Sequence, residues 1–142
     1  MFRRRVLQAV AVGTATVAGG CLGFGASQPR YLESLYLRND DDTAHAFELV
    51  VEREGETVQE TTVEVAESSG PARVDCEWSG RGPFTVTCTL SGDQQETVEV
   101  AEVEEGAGEY AHLRFLVTTG GELAGSGHLD DGGMRRCSGP AE

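Results

Sequence analysis

Lysine is absent from the 142 residues, so all 11 basic side chains are arginines, and they face 24 acids for a formal net charge of -13. A surface this acidic repels a polyanion, which argues against nucleic acid as a partner. Aromatic residues are scarce at 6%, yet 39% of the chain is hydrophobic and regularly patterned, too much for a disordered acidic polymer. No stretch keeps a 3.6-residue apolar period for helical length, and there is no phosphate loop or dinucleotide fingerprint, so the glycines mark turns. A chain of this length holds one domain with a modest core.

From Tyr31 onward apolar and polar residues alternate with period two, the pattern of strands with one buried face. Leu35 and Leu37 form one such face, followed by Phe47, Leu49 and Val51, then Val63 with Val65. Val74, Cys76 and Trp78 come next, then Phe84, Val86, Cys88 and Leu90, Val98 with Val100, and Ala111, Leu113, Phe115 and Val117. Turn residues separate the runs, as in Asn39-Asp40-Asp41-Asp42, Ser68-Ser69-Gly70-Pro71 and Ser79-Gly80-Arg81-Gly82-Pro83. About seven antiparallel strands are expected, closed into an all-β two-sheet sandwich. Val58 falls out of phase with Val63 and Val65, which predicts a bulge near Glu60 or Thr61. Past Gly120 the glycine content predicts a short last strand near Glu122 to Ala124 and then a loose tail. In strand count and alternation the chain resembles immunoglobulin-like domains; Trp78, only two residues past Cys76, does not follow their Cys-to-Trp spacing.

The amino end has a different character. Arg3, Arg4 and Arg5 precede an apolar run from Val6 to Ala18, then small residues lead to Cys21. That is the order of a secretory signal. As a helix the run would cover about 20 Å of a hydrocarbon core roughly 30 Å thick, too short to span it comfortably. Arg3-Arg4-Arg5-Val6-Leu7 resembles the twin-arginine export signal, and Ala18-Gly19-Gly20-Cys21 resembles a lipobox. The resemblance implies export of a folded domain and lipidation of Cys21; a plain signal peptide cut near Ala18 or Gly20, with Cys21 an ordinary thiol, is the alternative. The expected organisation is a signal over 1–20, a tether over 21–30, a sandwich over 31–125 and a glycine-rich tail over 126–142. Without the signal, 8 arginines face 24 acids, a side-chain net charge of -16. Salt near 1 M shortens the Debye length to about 3 Å and screens most of that repulsion. This composition resembles that of halophilic archaeal proteins, and an acidic protein from a high-GC bacterium shares much of it.

If Cys21 carries lipid, three cysteines remain for one bridge. Cys76 and Cys88 fall on the core-facing phase of consecutive expected strands, and a bridge between them would close a loop of about 13 residues, contributing roughly 3 kcal/mol. Cys137 reaching back to Cys76 or Cys88, or no bridge at all, are the alternatives.

Catalytic and metal constellations are not evident. A blue-copper site needs a histidine and a methionine after its cysteine, whereas His128 and Met134 precede Cys137. No closely spaced cysteine pair offers a zinc site. His112 faces outward by phase and His45 opens a strand at the rim. Ser126, His128, Asp130 and Asp131 have the residue types of a hydrolytic site but crowd into what reads as one glycine-rich loop, where turn hydrogen bonds are the commoner use. Asp40, Asp41, Asp42, Asp130 and Asp131 are the acids to consider for calcium; solvated turn acids are the simpler reading. The expectation is therefore a lipoprotein held to membrane lipid through Cys21 on the extracellular side. It would be a non-catalytic structural or binding module without a cofactor, its partner an unidentified envelope protein or small ligand. The alternatives are a ligand- or metal-ion-binding receptor subunit of a membrane transporter, and a small hydrolase using Ser126 and His128.

Overall fold

A computed structural model describes residues 30–91, 93–132 and 137. The export signal at Arg3 and Arg4, the lipidation position Cys21 and the expected tether up to residue 29 lie outside them. Among the described residues there is no α-helix, and nine strands form two stacked sheets, an all-β sandwich. The first sheet contains β1 (Arg30–Asn39), β4 (Ser69–Arg73), β5 (Arg81–Gly82), β8 (Tyr110–Val117) and β9 (Leu123–Asp130). Its order is β9-β8-β1-β4, with β5 also pairing with β1. The second contains β2 (His45–Arg53), β3 (Glu56–Val65), β6 (Phe84–Leu90) and β7 (Gln94–Glu99), in the order β3-β2-β6-β7. All strand pairs are antiparallel except the central β1 and β8, which run parallel.

The period-two apolar set is the core. Leu35, Leu37, Phe47, Val51, Val86, Cys88, Leu113, Phe115 and Val117 are fully buried between the sheets. Each large apolar side chain taken out of water contributes about 1.5–3 kcal/mol. The core-facing phase of β1 ends on Asn39, also fully buried; its Nδ2 donates to the carbonyls of Thr43, Val65 and Ala66 and its Oδ1 accepts from Asp41 N–H. A polar group there is tolerable because it is fully hydrogen-bonded, and it ties the end of one sheet to the other.

Three register shifts interrupt the alternation, one of them between β1 and β4 at Leu37 and Asn39. In β1 the register against β8 steps from Leu32 to Ser34, so Glu33 is the extra residue, and Ser34 moves to the outer face opposite His112. In β3 the register against β2 steps from Gln59 to Thr57, so the extra residue is Val58, not Glu60 or Thr61 as the phase argument placed it.

Residues 74–80 are irregular, where the sequence pattern predicted a strand through Val74, Cys76 and Trp78. Val74 and Trp78 are buried as expected, but the segment is held by side chains of the second sheet, by the Val74 N–H on the Leu35 carbonyl and by the Trp78 indole. Gln59 Nε2 donates to the Asp75 carbonyl, Trp78 Nε1–H donates to the Leu32 carbonyl at 2.7 Å, and Arg53 donates to the Ser79 carbonyl. Cys76 therefore does not face Cys88 across a hairpin. It bonds Cys137, with Cα atoms 5.6 Å apart. The backbone N–H of Cys137 donates to both the carbonyl and the carboxylate of Glu33, seating Cys137 over the β1 bulge.

Cys88 is left as a free thiol inside the core. Burial, with Glu48 and Glu96 adding to it, pushes its pKa up to about 12 from an ordinary 9.0. The thiol should therefore resist alkylation at pH 8 in the native protein and react on unfolding, as mass spectrometry after iodoacetamide would show. Above about pH 9 the unfolded chain releases this proton while the folded chain keeps it. Folding stability should accordingly fall as pH rises from 9.0 toward about 12. A Cys88→Ala variant should lose that slope.

Gly125 and Gly127 lie in a strand and not in a tail. β9 runs to Asp130 in full register with β8, beyond the expected end at Ala124. Gly125 and Gly127 lie on its core-facing side. A Cβ there would come within 2.8 Å of the Phe115 ring and 2.6 Å of Leu113 Cδ2, respectively. Glycine at these two positions leaves room for core side chains from β8, and for Val98 and Val103.

Candidate functional site

The outer face of β9, β8 and β1 carries three cross-strand rows set by this register. Asp130, Tyr110 and Tyr31 form the first, His128, His112 and Ser34 the second, and Ser126, Arg114 and Tyr36 the third. In the first row the Tyr31 and Tyr110 rings stack at 4.7 Å, with the Arg81 guanidinium 5.1 Å from the Tyr31 centroid. This stack lies beside the second row.

Within the second row the His112 and His128 rings stack with centroids 5.0 Å apart. His112 Nδ1 is 2.6 Å from Ser34 Oγ, and His112 Nε2 is 2.9 Å from Asp130 Oδ2. The other oxygen of Asp130 accepts from Gly132 N–H at 2.8 Å. The His112 side chain is 17% exposed, and its Nε2 is closed to solvent without an aligned hydrogen bond to a described residue. His112 and His128 also line one end of a cleft of about 600 Å³, whose other walls include Tyr36, Arg38, Arg114, Ser126 and Glu105.

Several residues singled out in the sequence are engaged elsewhere. Asp40 pairs with Arg38 at 2.8 Å, and Asp42 N–H donates to Asp41 Oδ1. His45 Nε2 lies 2.8 Å from Asp41 Oδ2; the hydrogen bond from His45, then that from the Asp42 backbone, hold the Asp41 carboxyl below its ordinary value. Whatever stability this turn gains is complete above the usual carboxylate range and fades as pH falls through it. Asp40, Asp41 and Asp42 thus each have a local partner, and Asp131 is exposed. Ser126 and His128 are exposed on the same face of β9, not in a loop, and no hydrogen bond joins them among the described residues. The Asp130 carboxylate reaches His112 instead of His128. The hydroxyl that does meet an imidazole is that of Ser34, which is fully buried. Nothing in the sequence groups Ser34 with His112, because their meeting depends on the parallel β1–β8 pairing and the Glu33 bulge.

The charge on the two outer faces differs. The second sheet presents acids and threonines, among them Glu48, Glu60, Thr85, Thr87 and Thr97. The first presents Arg38 and Arg114 in the wall of the cleft, and Arg114 forms no ion pair among the described residues. No family model, curated protein or solved structure matches this chain. Its class is accordingly defined by its own architecture: an all-β sandwich of two sheets with a histidine- and arginine-bearing cleft on one outer face.

Proposed function

We propose that this chain is an exported, lipid-anchored module of the cell envelope that faces outward, acts by binding and not by catalysis, and receives a small acidic ligand in the cleft of the first sheet. The observation that carries the binding reading is the placement of Arg38, Arg114 and His128 around one cavity of about 600 Å³. This occurs in a chain whose formal net charge is -13. A planar guanidinium favours a carboxylate or phosphate group, which it can grip through two parallel hydrogen bonds. Anchoring and export are supported by the order arginine pair, short apolar run, small residues, Cys21. A setting in concentrated salt is supported by the acidic, lysine-free composition.

Two measurements test the reading. Intact-mass analysis of the chain extracted from membranes should show a lipid adduct on Cys21; an unmodified chain recovered from the cytosol overturns the anchoring. Calorimetric titration of chelator-treated protein with succinate and with inorganic phosphate, in matched brine, should give saturable binding to at least one. Arg114→Gln should weaken it about tenfold or more, the equivalent of a charge-assisted hydrogen bond of roughly 1.5–3 kcal/mol. Absence of saturable binding, or binding unchanged in Arg114→Gln, overturns the cleft as the recognition site.

A further inference from the structure

We infer that His112, His128 and Asp130 form a binding site for one divalent first-row transition ion of the zinc type, on the outer face of the first sheet. The three residues each place a ligand atom within 4.8 Å of the others, and they are the sole such group of three among the described residues. Imidazole and carboxylate together suit zinc and its neighbours, whereas calcium takes oxygen ligands.

The surroundings of the ligands argue independently for an ion. Histidines and carboxylates that bind metal are usually held through their remaining polar atom. Here Ser34 Oγ holds His112 Nδ1 at 2.6 Å, and Gly132 N–H holds Asp130 Oδ1 at 2.8 Å. That leaves His112 Nε2 and Asp130 Oδ2 turned toward each other at 2.9 Å. If Nδ1 carries the proton and donates to Ser34, Nε2 presents a lone pair to a carboxylate oxygen, which is repulsive. If Ser34 donates instead, the Nε2 proton is buried and misaligned with its only nearby acceptor, at a cost of about 1–3 kcal/mol. A divalent cation bound by both atoms relieves the first arrangement and fixes the tautomer that allows it. His128 stacks beside His112 from an exposed position and supplies the third ligand from the cleft side. A fourth coordination position would then open toward the cleft, where water or an acidic group can occupy it.

The inference does not depend on ligand binding by Arg114. Its test uses the full chain, without a histidine tag, stripped with chelator and titrated with Zn²⁺ against a chromogenic competitor in brine. One Zn²⁺ per chain should bind and raise the melting temperature, and excess Ca²⁺ should not displace it. Co²⁺ should give the visible absorption of a low-symmetry nitrogen and oxygen site. His128→Gln, at an exposed position, should leave the metal-free melting temperature unchanged and weaken Zn²⁺ binding at least tenfold. Asp130→Asn retains an acceptor for Gly132 and should do the same. Ser34→Ala, a positioning change, should lower affinity about 10–100-fold while keeping the one-to-one stoichiometry. Zn²⁺ binding that is absent, exceeds one per chain without a distinct tight site, or is unchanged in both His128→Gln and Asp130→Asn overturns the site. The last outcome would assign the ion to surface carboxylates, and equal affinity in His128→Gln alone would overturn His128 as a ligand.

Discussion

Reduction of the Cys76–Cys137 bridge should lower the free energy of unfolding by roughly 4 kcal/mol, the chain-entropy value for a loop of this length. The bridged residues are 61 positions apart, so the loop takes in the second half of the core strands. The packing argument points the same way. Cys137 is 3% exposed, and its N–H covers the Glu33 carbonyl at the β1 bulge, beside Leu32, whose carbonyl accepts from Trp78. Releasing the bridge unseats one side of that contact. Trp78 is the single tryptophan of the chain and is buried, so its fluorescence reports the change directly. Denaturant titration in brine, with and without reductant, should show the lowered midpoint. Cys137→Ser should reproduce it, and Cys88→Ala should keep the sensitivity to reductant. An unchanged midpoint in reductant would contradict the argument.

Gly108→Ala should destabilise the fold by about 3 kcal/mol or more, through left-handed strain added to a backbone clash. A Cβ at Gly108 would sit 1.9 Å from the Asp130 carbonyl oxygen, and the residue has φ +133°. Gly106 is similarly close, 2.3 Å from the Leu129 carbonyl oxygen. Both belong to a segment that runs along the edge of β9, where Gly106 bridges Leu129 and the Leu129 N–H donates to the Glu105 carbonyl at 2.8 Å. Gly55 supplies the matched control. Its φ is +81°, but nothing lies within 4 Å of its would-be Cβ, so Gly55→Ala should cost only about 1 kcal/mol of conformational strain. Thermal melts of the two variants separate strain from collision. Hydrogen exchange at the Leu129 amide should rise in Gly108→Ala and stay unchanged in Gly55→Ala.

The sandwich was legible because alternation survives any choice of strand partner: Phe47, Leu49 and Val51, or Leu113, Phe115 and Val117, face inward whichever strands flank them. What alternation does not encode is which strands meet. Nothing local announces that β1 lies parallel to β8, so Ser34 and His112 read as unrelated polar residues. Residues 74–78 kept the burial expected of a strand without its backbone, because Gln59, Arg53 and Trp78 supply the hydrogen bonds that a neighbouring strand would have made. Gly125 and Gly127 misled for a physical reason. Glycine is the usual mark of a turn, and in β9 it instead makes room for the Phe115 and Leu113 side chains. Treating 126–142 as a tail removed His128 and Asp130 from the sheet, and with them the second row of the outer face. Cys88 followed its phase into the core correctly, but phase could not choose between Cys88 and Cys137 as the partner of Cys76.

The direction of β1 sets where this face points. The chain enters the first sheet at Arg30 and Tyr31, in the row of Tyr110 and Asp130, and Ser34 and His112 follow about 7 Å farther along the strand, two residues on in β8. Any lipid attached upstream of Arg30 would therefore draw that end of the sandwich toward the bilayer. The imidazoles would then look sideways, low on the module, and a bound ion would diffuse laterally with the membrane plane instead of standing off at its crown.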